Sequence, residues 1–393
     1  MRALTWQGRE KVSVETVPDP RIEQPTDAIV RITSSGLCGS DLHLYSVLGM
    51  YLDPGDVLGH EPMGIVEEVG TGVTHIAPGD RVVVPFNISC GSCWTCSRQL
   101  YAQCETTQVT AQGKGASLFG YTQMYGSVPG GQAELLRVPQ AHFGPIRVPT
   151  DGPDEQYLYL SDVLPTAWQA VEYAQVPRGG TVVVIGLGPI GQMCARIARH
   201  RGAGEVIGVD TVRERQVMAG RHGVTVLDGN AQDVLAQVLD LTDGRGADSV
   251  IDAVGMEAHG SPVTEVLQKA VGFLPDVLAQ KVTETLGFDR LSALHAAFSL
   301  VRRGGTVSIS GVYGGALDPV PMMDIFDKGL TLRMGQAHVR RWTDELVPLC
   351  ADPADPLGVL DLETHRVPLE DAADWYGKFQ RKDDGAIKVV FAP

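Results

Sequence analysis

Four cysteines in one short stretch constrain the fold of this 393-residue chain more than any other feature. They are Cys90, Cys93, Cys96 and Cys104, with two, two and seven residues between them. This spacing lets thiolates on turns converge on one ion, and four sulfurs complete the tetrahedron that zinc prefers. A closed four-thiolate site has no open position for a substrate, so we predict a structural zinc. Disulfide bonds and unconnected core cysteines are the alternatives.

The composition narrows the functions that a zinc-binding lobe can have in this chain. A zinc-stapled lobe by itself also fits a finger that binds nucleic acid or protein. The net charge of −15 argues against a surface that binds the phosphates of DNA or RNA. The 44% hydrophobic content, 20% charged content and 46 glycines are typical of a globular α/β protein, and 393 residues suffice for two domains.

The chain shows no targeting or membrane signal. Residues 1–6 begin as a strand-like run, without the charged head and apolar stretch of a signal peptide. No window approaches the roughly 18 uninterrupted apolar residues of a membrane span. Seven cysteines, four of them clustered, suit a reducing compartment. We therefore expect a cytoplasmic protein with neither a nucleic-acid nor a membrane partner.

The first 150 or so residues have a β-rich pattern. Short alternating strands are separated by glycine and proline, which favours an antiparallel, barrel-like domain. The predicted strands in this region are Ala28–Ile32, Gly64–Val69, Arg81–Val84 and Ala133–Val138.

From Thr181 the pattern changes to buried strand, glycine turn and helix. The clearest helices are Ile190–His200 and Asp233–Leu241. The number of predicted strands matches the six of the doubly wound dinucleotide fold. They are Thr181–Ile185, Val206–Val209, Thr225–Leu227, Ser249–Asp252, Thr306–Ser310 and Leu330–Met334.

A glycine-rich turn follows the first of these strands. It reads Gly186, Leu187, Gly188, Pro189, Ile190 and Gly191. The first glycine permits a tight turn, the second lets the backbone approach a pyrophosphate, and the third allows close packing of helix on strand. Such a motif is weak by itself, but here it lies between a strand and a helix, as a dinucleotide site requires.

Asp210 ends the next predicted strand, nineteen residues beyond Gly191. A carboxylate there accepts hydrogen bonds from both ribose hydroxyls and repels a 2′-phosphate, so the pattern favours NAD over NADP. An ordinary strand-end or capping role is the alternative. Arg213 and Arg215 follow closely and would weaken the discrimination, which leaves NADP open.

Two further positions carry ligand types of an open catalytic zinc. Cys38 begins the run Cys-Gly-Ser-Asp-Leu-His, and His60 lies in Gly-His-Glu-Pro. Taken separately, a lone cysteine is more often a core residue and a lone histidine more often a hydrogen-bonding one. Ser40 and His43 lie close behind Cys38 and could pass a proton from a substrate hydroxyl toward solvent.

Together these motifs resemble the zinc-dependent medium-chain alcohol dehydrogenases over nearly the whole chain. The resemblance rests on Cys38 to His43, Gly59-His60-Glu61, the four-cysteine lobe, the glycine turn and Asp210, in that order. It implies a GroES-like β-rich catalytic domain interrupted by a Rossmann coenzyme domain. We expect boundaries of 1–163 for the catalytic domain with its zinc lobe, 164–332 for the NAD-binding domain and 333–393 for the return.

The resemblance also implies roles for single residues. Cys38 and His60 would bind catalytic zinc, Glu61 would stand behind the metal, and Ser40 and His43 would relay the proton. The four cysteines would hold a second, structural zinc. The residues expected to contact the coenzyme are Thr166, Gly186, Gly188, Pro189, Ile190, Gly191, Asp210, Arg215, Val254, Gly311, Val312 and Lys388. For Lys388 the alternative is a solvated lysine. Phe86 would line the substrate pocket, and a plain core aromatic is the alternative for it.

One departure from the family pattern narrows the subgroup. Ordinary members have a cysteine or glutamate as the third zinc ligand, whereas this chain has Asp162 followed by Pro165 and Thr166. This resembles the glutathione-independent formaldehyde dehydrogenases and their dismutase relatives. Aspartate in place of cysteine exchanges a soft sulfur for a hard oxygen, which should make zinc a stronger Lewis acid. A helix cap is the alternative role for Asp162.

The resemblance implies hydride transfer between a small alcohol or aldehyde hydrate and NAD, in a homotetramer or a dimer. A zinc dehydrogenase for a larger alcohol or polyol and a non-catalytic NAD-binding zinc scaffold are the alternatives. The 48 residues between Gly255 and Gly304 exceed what one crossover helix needs. In the subgroup a longer loop covers the adenosine, so Val263–Leu278 would retain NAD and permit aldehyde dismutation. A surface or oligomer contact is the alternative role for this insertion.

Overall fold

The computed structural model of the chain describes residues 1–231, 233–255, 291–313 and 320–393. The chain forms two compact units, Met1–Thr166 with Ala337–Pro393, and Ala167–Gln336. The predicted boundaries, after residues 163 and 332, lie three and four residues earlier. The second difference has a plain cause, because the strand Thr331–Met334 pairs with its neighbour along its whole length and belongs entirely to the second unit.

The first unit begins with short strands joined by turns. Its elements before the second unit are β1 (Arg2–Gly8), β2 (Lys11–Thr16), β3 (Ala28–Leu37), α1 (Gly39–Ser46), β4 (Glu61–Val69), β5 (Arg81–Val83), β6 (Leu135–Val138) and β7 (Ile146–Arg147). The four predicted strands are all present. β3 extends five residues beyond the prediction, so it ends directly before Cys38.

The second unit alternates helices and strands. Its elements are α2 (Val163–Ala174), β8 (Thr181–Ile185), α3 (Pro189–His200), β9 (Glu205–Asp210), α4 (Arg213–Arg221), β10 (Thr225–Asp228), α5 (Val234–Leu241), β11 (Ala247–Asp252), α6 (Ser292–Leu300), β12 (Val301–Ile309), α7 (Met322–Lys328) and β13 (Thr331–Met334). The first of them, α2, begins in the first unit and continues into the second.

Strands β8 to β13 form one parallel sheet in the order β10-β9-β8-β11-β12-β13. Apolar side chains of the strands, among them Val183, Ile207, Val250 and Val307, are fully buried beneath the helices. This confirms the predicted doubly wound fold with its six strands. The strand order reverses next to β8, which is where open sheets of this kind bind ligands at the carboxyl ends of the strands.

The chain then returns to the first unit and completes its sheet. The returning elements are α8 (Val339–Ala351), β14 (His365–Pro368), α9 (Ala372–Arg381) and β15 (Val389–Ala392). The sheet has the order β14-β15-β3-β4-β5-β7, with β6 also paired to β3. All pairs are antiparallel except β14 with β15, so the sheet is mixed where we predicted an antiparallel one.

The predicted insertion after Gly255 lies largely outside the described residues, which resume at Leu291. The segment Val263–Leu278, to which we assigned a role at the adenosine, lies wholly outside them. Among the described residues, no helix combines the length and the apolar character needed to cross a membrane.

Two glycines on helices of the second unit offer a test of how tightly the coenzyme turn is packed. A Cβ on Gly191, in the first turn of α3, would overlap the carbonyl oxygen of Gly186. We expect Gly191→Ala to destabilise the protein by about 1–3 kcal/mol, because the backbone must move to admit the methyl group. Chemical denaturation of the purified variant measures this.

Gly220 provides the matched control, since a Cβ at that position on α4 meets nothing within 4 Å. Gly220→Ala should leave stability unchanged or raise it by up to about 1 kcal/mol. Equal destabilisation by the two substitutions would contradict the packing argument.

Candidate active site

Three elements of the first unit each bring one possible metal ligand to the same point. Cys38 follows β3 and caps α1, His60 precedes β4, and Asp162 precedes α2. β3 and β4 are antiparallel neighbours with Gly36 opposite Glu61, so Cys38 and His60 lie at the same end of the pair. The ligand atoms of Cys38, His60, Glu61 and Asp162 all lie within 4.8 Å of one another.

The distances between these atoms suit a tetrahedral zinc. Asp162 Oδ2 lies 3.6 Å from Cys38 Sγ and 3.6 Å from His60 Nε2. Zinc bonds of about 2.0–2.3 Å at tetrahedral angles separate neighbouring ligand atoms by roughly 3.3–3.8 Å. One sulfur, one nitrogen and one carboxylate oxygen leave a fourth position for a substrate oxygen. The donor set therefore fits an open zinc site.

Burial and neighbouring charges set the pKa values of these groups. Burial raises the pKa of the Cys38 thiol to about 11, and the charge of Glu61 adds to the rise. Burial opposes the charged form of His60, but Asp41 and Asp162 outweigh it and hold the pKa of the imidazole well above its usual value. Burial also opposes ionisation of Asp162, yet the contact with His60 lowers the pKa of that carboxyl overall. Such an acid-rich cluster is suited to a cation that stabilises the Cys38 thiolate.

The position of Lys388 in the structure was not predicted from the sequence. Its side chain is fully buried in the first unit, and Nζ lies 2.5 Å from Glu61 Oε2 and 3.0 Å from Leu37 O. This environment differs from both predictions for Lys388, a contact with the coenzyme and a solvated side chain. The reason is the pairing of β15 with β3, which places Val389 opposite Leu37 and so brings Lys388 to Glu61. Burial opposes the charge of Lys388, but Glu61 raises the pKa of the ammonium group overall.

Glu61 is fully buried beside the three possible ligands. Burial raises the pKa of this carboxyl, and Lys388 limits the rise. A Cβ on Gly36 would overlap Glu61 Oε2, so a larger residue opposite Glu61 on β3 would displace the carboxylate from its present place. The carboxylate thus has a fixed place behind the ligand cluster.

Ser40 and His43, the predicted proton relay, both lie on α1 and are three residues apart, which puts them on one face of the helix. Ser40 Oγ lies 3.2 Å from His60 Nε2 and 3.4 Å from Cys38 Sγ. His43 is buried one turn further along. A hydroxyl therefore lies at the ligand cluster, and a buried imidazole lies one turn further along α1.

Two contacts behind the ligands were missed by sequence reasoning. Thr166 Oγ1 donates to Asp162 Oδ1 at 2.6 Å, whereas we predicted only a contact with the coenzyme for Thr166. Asp41 is fully buried, with Oδ1 3.1 Å from His60 Nδ1. Carboxylates that meet the second nitrogen of a ligand histidine fix its ring orientation and tautomer. The signal for Asp41 was available, since it is the third residue after Cys38 and lies in the first turn of α1.

Two aromatic rings stand edge-on to His60. The ring centroid of Phe86 lies 6.4 Å from that of His60, and the ring centroid of Tyr121 lies 6.2 Å away. Phe86 thus lies beside the ligand cluster. Tyr121 was not identified from the sequence, because nothing in its local pattern distinguishes it from a core aromatic. The two rings restrict the space beside the ligands.

The four clustered cysteines converge in the first unit, with their sulfurs within 4.8 Å of one another. The sulfurs of Cys93 and Cys104 lie 3.9 Å apart, close to the separation expected in a four-thiolate zinc site. The N–H of Cys90 donates to Cys104 Sγ and the N–H of Cys93 to Cys90 Sγ, each at 3.4 Å. All seven cysteines of the chain are free of disulfide bonds.

Hydrogen bonds favour the thiolate form of Cys90 and Cys93 in this lobe, whereas burial raises the pKa of the Cys96 thiol. Burial opposes ionisation of Cys90, but donors that include Thr106 Oγ1, at 3.1 Å from the sulfur, lower the pKa of the thiol. Burial also opposes ionisation of Cys93, but the Thr95 hydroxyl and nearby backbone N–H groups lower its pKa to about 5. Because thiolates are the metal-binding form of cysteine, the lobe is suited to a closed zinc site.

In the second unit, the glycine turn joins β8 to α3, with Gly188 as the helix cap and Pro189 and Ile190 in the first turn. Gly186 has a φ of +84°, in the region that favours glycine. A Cβ on Gly186 would also lie 2.5 Å from Val254 Cγ2, so Val254 packs directly on the turn. The turn and the N-terminus of α3 form the arrangement that binds a pyrophosphate.

Asp210 lies at the end of β9 and is held in place by the backbone. Its Oδ2 accepts from the N–H of Leu187 at 2.6 Å, and its Oδ1 accepts from the N–H of Val212 at 2.7 Å. Each oxygen retains a lone pair for a ribose hydroxyl. Arg215 Nη1 lies 3.8 Å from Asp210 Oδ2, near enough to reduce the repulsion of a 2′-phosphate.

The segments after β11 and β12 carry the other predicted coenzyme contacts. A Cβ on Gly311 would lie 3.1 Å from the carbonyl carbon of Val254, and Val312 is half exposed. Asp252 Oδ1 accepts from the N–H of Val254 at 3.0 Å, and the Tyr313 hydroxyl donates to Asp252 Oδ2 at 2.5 Å. Sequence reasoning gave Asp252 no role, because an acid at a strand end is common.

The buried pair of Lys388 and Glu61 gives a prediction about stability. Lys388→Met should destabilise the protein by about 3–5 kcal/mol at neutral pH, because the Glu61 carboxylate is left without its cation. The deficit should shrink as the pH falls, since Glu61 is then protonated in the folded and unfolded states alike. Urea denaturation at several pH values measures both effects. The double substitution Lys388→Met, Glu61→Gln should recover most of the loss, and a double variant no more stable than the single one would refute the pair.

Comparisons with known proteins agree with this architecture. Residues 24–149 match the alcohol dehydrogenase GroES-like domain, and residues 189–274 match the zinc-binding dehydrogenase domain. Over its full length the chain is 40% identical to the full-length uncharacterized zinc-type alcohol dehydrogenase-like protein AdhB of Bacillus subtilis. It is 32% identical to glutathione-independent formaldehyde dehydrogenase of Pseudomonas aeruginosa, over 96% of this chain and 94% of that protein.

A solved structure also resembles this chain over its whole length. Alcohol dehydrogenase TADH from Thermus sp. ATN1 superimposes with a TM-score of 0.82 and 34% identity, covering 100% of this chain and 99% of that one. The two domain matches, the full-length relatives and this structural likeness agree with one another. The chain therefore belongs to the zinc-dependent medium-chain alcohol dehydrogenase family.

Proposed function

We propose that this chain is an oxidoreductase that transfers hydride between a small alcohol or aldehyde hydrate and NAD. The observation that carries the proposal is the convergence of Cys38, His60 and Asp162 in the first unit. A dinucleotide-type glycine turn in the second unit supports it. The likeness to a formaldehyde dehydrogenase, 32% identical, supports a small substrate.

Two zinc ions per chain follow from the two donor sets. Cys38, His60 and Asp162 would hold the catalytic ion, and the four cysteines of the lobe would hold the structural one. When bound, the catalytic zinc would act as a Lewis acid that lowers the pKa of a substrate hydroxyl. Asp162 contributes a hard oxygen ligand, and its second oxygen is fixed by Thr166.

The side chains around this site have separate tasks. Ser40 would accept the hydroxyl proton of the substrate, and His43 would carry it toward solvent. Glu61, neutralised by Lys388, would stand behind the metal ligands without competing for the proton. Phe86 and Tyr121 would exclude bulky substrates by restricting the space beside His60.

The coenzyme would bind to the second unit. The glycine turn from Gly186 to Gly191 and the N-terminus of α3 would bind the pyrophosphate through backbone N–H groups. Asp210 would accept hydrogen bonds from the ribose hydroxyls, which favours NAD. A bound nicotinamide supplies the hydride acceptor, and Val254, Gly311 and Val312 would form its wall.

Other features support an oligomer and a reducing compartment. β13 ends the order of the described sheet, and all four of its residues are exposed, including Leu332 and Met334. An edge strand of this kind pairs readily with another strand. We propose a homotetramer, with a dimer as the alternative. The absence of disulfide bonds among the seven cysteines supports the cytoplasm as the compartment.

The function is tested by metal analysis together with steady-state rates. Wild-type protein should contain two zinc ions and should oxidise small alcohols and aldehyde hydrates with NAD faster than polyols. Asp162→Asn should lower both zinc content and kcat/KM on the order of 10-fold or more, because a charged ligand is lost, while NAD affinity changes little. Preference for polyols would favour the larger-substrate alternative, and one zinc without turnover would favour a non-catalytic scaffold.

Cys93→Ser is the contrasting variant for the structural ion. It should unfold or disassemble the protein instead of abolishing turnover selectively, because the lobe depends on its metal. A Cys93→Ser protein that is folded, assembled and fully active would refute a structural zinc at the lobe. An Asp162→Asn protein with the zinc content and rate of wild type would remove Asp162 from the ligand set.

Asp210 gives a separate prediction on coenzyme choice. Asp210→Ala should shrink the preference for NAD over NADP by roughly 10-fold or more, since each hydrogen bond to a charged group contributes about 1.5–3 kcal/mol. Arg215→Ala should act in the opposite direction, because the cation beside Asp210 favours a 2′-phosphate. Binding of both nucleotides to both variants measures this, and a wild type that binds NADP as tightly as NAD would contradict the role of Asp210.

A further inference from the structure

A chain of polar contacts, an ion-pair contact followed by hydrogen bonds, continues from His60 through the interior of the first unit to its last helix. Asp41 Oδ1 lies 3.1 Å from His60 Nδ1. Asp41 Oδ2 lies 3.4 Å from Gln132 Nε2, and the Tyr376 hydroxyl donates to Gln132 Oε1 at 2.7 Å. Asp41, Gln132 and Tyr376 are all fully buried. The chain thus joins α1, the loop before β6 and α9.

The chemistry of the neighbours fixes the orientation of the Gln132 side chain. Its Nε2 lies 3.4 Å from Asp41 Oδ2 and 3.4 Å from the carbonyl oxygen of Gly36, and both of these atoms are acceptors. The amide NH2 must therefore face them, and Oε1 must face Tyr376. A turn of the amide by half a rotation would place its oxygen against the Asp41 carboxylate. In the orientation that these two acceptors require, the Tyr376 hydroxyl donates to Oε1.

Packing holds both residues in place. A Cβ on Gly59, the residue before His60, would lie 2.5 Å from the backbone nitrogen of Gln132. The ring of Tyr376 lies 5.5 Å from the ring of Tyr45 and stacks on Phe391 at 6.4 Å. Gln132 and Tyr376 are therefore both packed against neighbours in the first unit.

We propose that Gln132 and Tyr376 are positioning residues for the metal site, acting through Asp41 on the ring of His60. The proposal rests on the metal site given under the proposed function. Asp41 receives two donors at Oδ2, the N–H of Cys38 at 3.0 Å and the amide of Gln132. These donors hold Oδ2 on its far side and leave Oδ1 3.1 Å from His60 Nδ1. The direction of His60 Nε2, which would bind the ion, is therefore set in part from α9.

Removal of the Tyr376–Gln132 hydrogen bond should change the metal affinity of the site. Without the Tyr376 hydroxyl, Oε1 of Gln132 becomes a buried acceptor without a donor. The amide then loses the bond that holds its far side, and its contact with Asp41 Oδ2, already 3.4 Å long, is less well fixed. Substitutions that disturb such outer contacts typically change metal affinity or activity about 10–100-fold.

Tyr376→Phe and Tyr45→Phe form a matched pair for the test. Each removes one phenolic oxygen from the same aromatic cluster, but only Tyr376 bonds to Gln132. The labile zinc of each protein is replaced by cobalt(II), the visible spectrum is recorded, and loss of cobalt to a chelator is timed. Tyr376→Phe should shift the cobalt bands and release the ion on the order of 10-fold faster. Tyr45→Phe should match wild type in both measurements.

Gln132→Met extends the test, since it keeps the side-chain length and removes both bonds. It should shift the bands and speed cobalt release at least as much as Tyr376→Phe, and it replaces that variant if the latter does not fold. Spectra and release rates equal to those of Tyr45→Phe in both variants would overturn the proposal. Failure of both variants to fold would also overturn it, because their role would then be in the fold itself. A wild type that takes up no labile cobalt would instead refute the metal site.

Discussion

The pairing of β3 with its two neighbours is the interaction on which the site in the first unit depends. On one side β4 places Glu61 opposite Gly36, and on the other side β15 brings Lys388 to the carbonyl of Leu37, directly before Cys38. A thiol, a carboxylate and an ammonium group thereby meet, although Glu61 and Lys388 are 327 residues apart in sequence. A slip of either strand by one residue would turn these side chains to the opposite face of the sheet.

The charged side chains that these strands bring together explain why the cluster of possible metal ligands is suited to a cation. Cys38, Glu61 and Asp162 are acidic groups in a buried place, and Lys388 and His60 are the cations facing them. Lys388 neutralises Glu61, which leaves the thiol and Asp162 beside one imidazole. An uncompensated ion in the interior costs several kcal/mol, so a divalent ion between these ligands would satisfy charges that the protein alone balances through shifted pKa values.

The parts of the site that could be predicted from the sequence are those built from neighbouring residues. The glycine turn of the second unit follows from local requirements, such as the space that Gly191 leaves for the Gly186 carbonyl. The places of Lys388, Gln132 and Tyr376 follow from strand pairing and helix packing across hundreds of residues, for which no local pattern exists. A lysine near the end of a chain is usually solvated, and only the β15–β3 pairing shows that this one is buried.

The two metal-ligand clusters illustrate the same distinction in their energetics. In the lobe, the ligands and most of the donors to their sulfurs lie within one loop, from Cys90 to Thr106. Such a loop has little core of its own, so metal binding supplies much of the free energy that orders it. At the other cluster, Cys38 and Asp162 are 124 residues apart and are positioned by the sheet and by α2. The sheet, and not the ion, maintains that geometry, and a site ordered in this way can keep a fourth position open for a substrate.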